Sequence, residues 1–362
     1  MENKFKICII GSGIIGLAIA ERLSRVYDNI IVIDKENTFG QHVSSRNSEV
    51  IHSGFYYPEN SLKSKMCIDG NKRLYEFADK FHIKYDKCGK LIVINSKEEE
   101  SELIEIKNHA LNCGLVDLEI LDTEQSKMIE PKVNCYKSLY IPSTGIIDSH
   151  AVMAKLENLS KSRNVDFLYK SKITQVIKEN SSYAVFLNDS SDSLNADIII
   201  NSAGLWSDEV SSMIGVKDYK LEYYKGDYFK SRTVRNLNCL IYPMPKISSL
   251  GIHTVLSLNG DVSFGPNIYK VNSIDYSIDD RYKEEYIKEI NTLIKVDNLD
   301  LYHDYSGIRP KIKFDGQFND FIIKNEFKRG YDNFINLVGI DSPGLTSCLS
   351  IAKYVESIIN LK

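Results

Sequence analysis

Phe5-Lys-Ile-Cys-Ile-Ile-Gly-Ser-Gly-Ile-Ile-Gly16, followed one helix length later by Ile30-Ile-Val-Ile-Asp34, decides how the chain begins to fold. The run from Phe5 to Ile10 reads as a buried strand. Ile15, Leu17, Ile19, Leu23 and Val26 then recur at helical spacing, which predicts a helix over 14–26, and Ile30 to Ile33 reads as a second buried strand. Strand, glycine turn, helix and parallel strand make a βαβ unit. Gly11, Gly13 and Gly16 have separate tasks: the first permits the tight turn, the second lets the backbone approach a pyrophosphate, and the third lets helix and strand pack closely. The helix start at Ile14 and Ile15 offers free N–H groups and partial positive charge to phosphates. Asp34, with Lys35 beside it, closes the second strand, where its carboxylate can accept hydrogen bonds from a ribose diol. The same charge repels a 2′-phosphate. A lone glycine motif would fit many α/β proteins, but the complete order of strand, turn, helix, strand and acid points to a bound dinucleotide.

At 362 residues the chain suits one large or two medium domains. It is 43% hydrophobic and 26% charged, with a net charge of -4 and mixed signs throughout, so a basic nucleic-acid surface is excluded. The run Glu98 to Glu100 reads as a solvated helix face. The seven cysteines (Cys8, Cys67, Cys88, Cys113, Cys135, Cys239 and Cys348) form no Cys-x-x-Cys and no zinc spacing with histidine. No metal site is expected, and reduced thiols in a cytoplasmic protein are the simplest reading. The N-terminal apolar run is too short for a signal peptide, and no segment approaches the ~20 apolar residues that span a bilayer. Loose contact with a membrane surface stays open.

Further along, 60–81 and 96–113 read as helices, Lys90 to Asn95 as a strand, and 163–200 as several strands ending in Ala196-Asp-Ile-Ile-Ile-Asn-Ser-Ala-Gly204. Residues 218–270 are strand-rich, 280–296 helical, and the last 30 residues give a strand over Phe334 to Val338 and a helix from about Thr346. Nucleotide-domain segments therefore recur at the start, middle and end. The expected nucleotide domain covers 1–80, 140–215 and 305–362, with a substrate domain over 81–139 and 216–304.

Ser44-Ser-Arg-Asn-Ser-Glu-Val-Ile-His-Ser-Gly-Phe-Tyr-Tyr-Pro58, then Ser61-Leu-Lys63, resembles the D-amino-acid-oxidase-like flavoproteins, and within them the L-2-hydroxyglutarate dehydrogenase/oxidase group. The likeness continues in order at Lys225-Gly-Asp-Tyr228, Gly251-Ile-His253, Phe264-Gly-Pro-Asn267, Gly307-Ile-Arg-Pro310 and Ser342-Pro-Gly-Leu-Thr-Ser347. It implies an α/β fold: a Rossmann-like FAD-binding domain and a second substrate domain on a mixed or antiparallel sheet. It also implies non-covalent FAD and oxidation of a CH–OH bond beside a carboxylate. Asp34 stands where many relatives carry Glu, and Ser45-Arg46 where the group often has Gly-His. Ser45, Arg46, Asn47 and Ser48 are expected near the flavin. Val176, Ala203 and Gly204 match later nucleotide contacts, and Pro343, Gly344, Leu345 and Thr346 match a helix start facing the flavin's N1–C2=O edge. His42 lies where some flavoproteins tether the cofactor.

The chemistry needs a cation for an anionic substrate and a base for its hydroxyl proton. Arg309 is the expected carboxylate clamp, because a guanidinium holds a carboxylate through two parallel hydrogen bonds; a structural ion pair is the alternative. His52 is the expected base, titrating near neutral pH, so that flavin reduction would quicken as pH rises. The alternative is a histidine that only orients the flavin. His253 is the rival base or a substrate contact. Tyr56, Tyr57 and Tyr228 are expected as hydrogen-bond donors, although 22 tyrosines make packing the commoner role. Lys63 and Lys65 are candidates for a distal carboxylate.

The leading expectation is oxidation of L-2-hydroxyglutarate or an analogue, with oxygen, a quinone or a partner protein taking the electrons. Amine or amino-acid oxidation is the second reading, since the scaffold serves both. Glycerol 3-phosphate oxidation is weaker, because no phosphate site rich in Arg and Lys stands out. A flavin-bearing protein without turnover is the non-enzyme reading, against which Arg309 and His52 argue.

Overall fold

The computed structural model describes residues 4–245, 251–313 and 318–359. The chain divides into two compact units. The first holds Met1–Ser45, Ser149–Tyr223 and Arg309–Lys362, the second Arg46–Asp148 and Tyr224–Ile308.

The first unit is built on an eight-stranded sheet. Strand Lys4–Ile10 lies in its middle, parallel to Ile30–Ile33 on one side and to Ser193–Asn201 on the other. Asp166–Leu168 and Phe334–Val338 extend this parallel set outward. Ile30–Ile33 is buried at every position, as a continuous apolar run in a sheet covered on both faces must be. Two antiparallel pieces are attached: Ile322–Asn325 on Phe334–Val338, and the pair Ile173–Lys178 and Tyr183–Leu187 on the first half of Ser193–Asn201. Helices Ile14–Leu23 and Gly344–Ile359 pack side by side, and the Arg22 guanidinium donates to Glu356 from Nε at 2.8 Å and Nη2 at 2.6 Å. The first helix ends at Leu23 rather than near Val26, which is 61% exposed; the Ser24 and Tyr27 N–H groups close its last turn on Ala20 and Leu23.

The second unit carries three sheets. One has the order Leu240–Pro243, Lys90–Ile94, Lys137–Ile141, Glu119–Asp122, with one parallel and two antiparallel pairings. A second centres on the long strand Leu221–Arg235, paired with Asp261–Gly265 and with Leu301–Ile312. The third joins Val50–Ile51 and Tyr85–Asp86 to Gly145–Ile147.

The boundaries depart from expectation. Residues 46–80 and 140–148 belong to the second unit, not to the nucleotide-binding one, and 305–308 go with them. Val50 pairs with Ile146, and Asn71 on helix Leu62–Phe81 donates to the carbonyls of His52 and Ser143, so this stretch finds its partners there. Residues 216–223 fall in the first unit, where the Leu221 N–H donates to Asp208 and the Tyr223 hydroxyl to the Leu205 carbonyl.

Candidate active site

Because the strands of the first unit run parallel, their carboxyl ends share one edge, Ile10 level with Ile33 and Asn201, and Asn201 with Asn336. Loops leaving that edge are where open α/β sheets bind ligands. Asn201 Nδ2 donates to Asn336 Oδ1 at 2.8 Å, and Asn336 Nδ2 to Glu326 at 2.9 Å, so a buried network ties the end of strand Ser193–Asn201 to the middle of Phe334–Val338.

The three glycines of the turn differ in their surroundings. Gly11 has φ +98°, and a Cβ there would lie 2.6 Å from the Ser202 carbonyl oxygen; at Gly16 it would lie 1.9 Å from the Gly11 oxygen. Gly13 differs. A Cβ there meets a single described neighbour, Ser44 Oγ at 3.0 Å, and is otherwise in open space. The Ile14 N–H donates to that same Ser44 Oγ at 2.9 Å, and no acidic side chain occupies the helix's first turn. The positive end of the helix is therefore left for an anion. Asp34 Oδ2 accepts from both the N–H (2.6 Å) and the hydroxyl (2.7 Å) of Ser12, while Oδ1, among the described residues, accepts only the Glu36 N–H (2.9 Å). Each carboxylate oxygen takes two donors, so Oδ1 keeps room for one more.

Neighbouring residues complete the cradle. Lys35 Nζ lies 3.0 Å above the Trp206 ring, His42 stands edge-on to that ring, and His42 Nε2 lies 2.9 Å from Glu36 Oε1. Gly204 faces open space. Val176 lies on strand Ile173–Lys178, at one edge of the sheet beside Tyr183–Leu187, its own side chain buried. Helix Gly344–Ile359 also begins without an acidic residue, Gly344 N–H donating to the Asp341 carbonyl at 2.7 Å. Pro343 precedes this start, and Leu345 and Thr346 form its first turn. Arg309, on strand Leu301–Ile312, has its Nη1 buried with no hydrogen-bond partner among the described residues. Such a group costs about 1–3 kcal/mol until an acceptor reaches it.

In the second unit, His52 follows strand Val50–Ile51 and keeps a partly accessible edge. Desolvation pushes its imidazole down to about 3, and the charges of Lys90 and His253 act the same way. It is thus neutral at any working pH, and the expected ionisation near neutrality is corrected: burial removes it. His253 is 3% exposed, its ring stacked on Tyr242 with centroids 3.8 Å apart. Its Nδ1 lies 2.8 Å from the Gly251 carbonyl, which only accepts, so neutral His253 carries its hydrogen on Nδ1 and its lone pair on Nε2. Tyr228 stacks on Tyr305 at 4.3 Å, and the Tyr305 hydroxyl donates to the Asn47 carbonyl at 2.7 Å. Arg46 lies 4.1 Å from the Tyr276 ring and donates to the Ser306 carbonyl.

With this geometry in hand, comparison with known proteins is direct. The family described as FAD dependent oxidoreductase matches residues 6–358. The chain belongs to that family. This oxidoreductase is 30% identical over 396 residues to L-2-hydroxyglutarate dehydrogenase, mitochondrial, of Arabidopsis thaliana, covering 96% of this chain and 82% of that one. It is 28% identical to the Indibacter alkaliphilus protein named L-2-hydroxyglutarate dehydrogenase, with 96% of each chain covered. Among solved structures it resembles L-alpha-glycerophosphate oxidase from Mycoplasma pneumoniae with FAD bound (TM-score 0.89, 24% identity, covering 100% of this chain and 96% of that one). It also resembles glycine oxidase from Geobacillus kaustophilus (TM-score 0.83, 15% identity, 98% and 94% covered). At those identities the likeness carries the fold alone. The oxidoreductase uses FAD and acts on CH–OH donors. Among its described residues no helix is long and apolar enough to cross a membrane.

The candidate residues of this FAD-dependent oxidoreductase fall into two groups. Gly11, Gly13, Ile14, Ile15, Gly16, Asp34, Lys35, Ser45, Val176, Ala203, Gly204, Arg309 and Pro343 to Thr346 lie in the first unit. Arg46, Asn47, Ser48, His52, Tyr57, Tyr228 and His253 lie in the second. Within the second, His52 and His253 share one electrostatic neighbourhood. Tyr57 instead sits by helix Glu100–Asn112, its carbonyl bonded to His109 and its ring 5.9 Å from Lys63 Nζ. Lys90 and Tyr242 were not singled out by sequence reasoning. A signal existed for Lys90: it opens Lys90-Leu-Ile-Val-Ile94, a strand buried at every position.

Proposed function

We propose that the enzyme oxidises an L-2-hydroxy acid, L-2-hydroxyglutarate or a close analogue, to the 2-oxo acid. The observation that carries this reading is the set of relatives bearing that name along nearly the whole chain. The buried, unpaired Nη1 of Arg309 supports an anionic substrate. In this reading Gly11, Gly13, Gly16 and the first turn of helix Ile14–Leu23 hold the pyrophosphate, and Asp34 Oδ1 takes one ribose hydroxyl. The cofactor is held non-covalently, His42 Nε2 being already engaged by Glu36. Bound FAD supplies the two-electron acceptor, a hydride passing from substrate Cα to flavin N5. Arg309 grips the α-carboxylate with its planar fork and so fixes which face of Cα is presented. His52, neutral and desolvated, takes the proton from the substrate hydroxyl oxygen. The start of helix Gly344–Ile359 supplies partial positive charge for an anionic reduced cofactor. Oxygen, a quinone or a partner protein then removes the electrons. We place the enzyme in the cytoplasm, touching a membrane surface if the acceptor is a quinone.

A panel of 2-hydroxy acids, amino acids and glycerol 3-phosphate, assayed with an artificial electron acceptor, tests the substrate class. Turnover should be fastest with L-2-hydroxyglutarate, and faster turnover of any amino acid would replace this reading with amino-acid oxidation.

His52→Ala is expected to slow anaerobic flavin reduction by ~10²-fold or more while FAD content stays unchanged. Because His52 is neutral throughout, the ratio of wild-type to variant rates should stay constant over about pH 5–8, where an unshifted histidine titrates. Stopped-flow absorbance of the flavin gives both. If His253→Ala carries the loss and His52→Ala does not, the base is His253 and His52 only positions the site.

A further inference from the structure

Lys90 Nζ and the hydroxyl oxygens of Tyr56 and Tyr242 are among the buried polar atoms of the second unit that have no hydrogen-bond partner among the described residues, the others being Asp227 Oδ1 and Asn267 Nδ2. The first three belong to one cluster. Lys90 is 0% exposed, and its Nζ lies 4.4 Å from the Tyr56 ring centroid, 4.8 Å from that of Tyr242 and 5.3 Å from that of Phe55. His253 stacks on the Tyr242 ring, and His52 feels the charge of Lys90. No described carboxylate forms an ion pair with Lys90. Cys67, the one group whose charge would favour its protonated form, has a thiol that burial pushes far up and keeps neutral.

Three aromatic faces attract an ammonium but cannot accept its N–H bonds in full. A buried cation without an anion, beside two unsatisfied phenols, lowers the stability of the empty protein. An ammonium and a phenol hydroxyl both donate to a carboxylate, the kind of acceptor this cluster lacks. Tyr56 and His52 keep partial exposure at the margin of the cluster, while its three polar atoms are buried. The lysines singled out from the sequence are less suited, since Lys65 is exposed and Lys63, although buried, already has partners.

We propose that Lys90, with the hydroxyls of Tyr56 and Tyr242, forms the subsite that takes the second carboxylate of a dicarboxylic 2-hydroxy acid. This rests on the 2-hydroxy acid reading above and names what selects among such acids. The protonated amine is the binding form. Burial lowers Lys90 to about 7, so the subsite is charged below that pH and loses its charge above it. The groups around it are His52, His253, Cys67, Tyr56 and Tyr242.

The test uses purified holoenzyme and compares glutarate with valerate, a monoacid of the same length, as calorimetric ligands, and 2-hydroxyglutarate with 2-hydroxyvalerate as substrates. Wild type should prefer the diacid by ~10²-fold or more, and Lys90→Met should cut that preference to within ~3-fold. Met fills similar volume and removes an unpaired charge, so the thermal midpoint should hold or rise. Lys63→Met should keep the diacid preference. In wild type, the preference for glutarate over valerate should weaken as pH rises through about 7; this reading survives even if a variant fails to fold. An unchanged preference in Lys90→Met, or its loss in Lys63→Met, overturns the subsite and leaves the proposed reaction standing. If no 2-hydroxy acid is oxidised, the reaction fails, and the glutarate and valerate affinities still decide the subsite.

Discussion

Gly13→Val is expected to give folded protein that purifies without FAD. A Cβ at Gly13 meets only Ser44 Oγ at 3.0 Å, the end of a small side chain that can turn away, so the protein has room for it. The remaining space is where the pyrophosphate must approach the backbone, and a branched side chain fills it. Gly16→Ala is the contrast. Its Cβ would lie 1.9 Å from the Gly11 backbone oxygen, so helix and strand must separate, and the thermal midpoint should fall whether or not cofactor is added. Visible flavin absorption and acid-released FAD, read beside a thermal melt, separate the two effects. A fully flavinylated Gly13→Val protein would mean the phosphates lie elsewhere.

Arg309→Met should lower kcat/KM for the 2-hydroxy acid by ~10²-fold or more, about 3 kcal/mol of lost transition-state stabilisation. FAD content should not change, because in the proposed reading the glycine turn and Asp34 hold the cofactor. Nη1 of Arg309 is buried without a partner among the described residues, so removing the guanidinium breaks no hydrogen bond among them at that atom. Arg309→Lys keeps the charge but loses the planar fork, and should also be impaired. Steady-state kinetics with flavin content determined on each preparation provides the check. Near-normal kinetics in Arg309→Met would hand the α-carboxylate to another cation.

The nucleotide-binding unit was legible because its elements are continuous apolar runs closed by glycines, as in Phe5 to Gly16 and Phe334 to Val338, the latter matching the observed strand at both ends. The domain boundary was not. Val50–Ile51 is a two-residue strand with no periodicity to read, and its partner Gly145–Ile147 lies far along the chain. Arg309 and His52 stood out through their motifs, but the ionisation of His52 did not, because an imidazole near neutrality in water is neutral once the chain desolvates it. Lys90 opens an apolar strand, and a charge at the start of such a run was the one signal it gave. Tyr242 is one tyrosine among 22, and only its stacking on His253 gives it meaning.

The most direct measurement is anaerobic mixing of the yellow holoenzyme with L-2-hydroxyglutarate in the dark, where no outside acceptor and no photoreduction can intervene. The flavin absorption should bleach completely, with 2-oxoglutarate formed in equal amount to the FAD reduced, and the D enantiomer and amino acids should leave the spectrum unbleached. Flavin that stays oxidised with L-2-hydroxyglutarate while an amino acid or glycerol 3-phosphate bleaches it would contradict 2-hydroxy acid oxidation as the function of this chain.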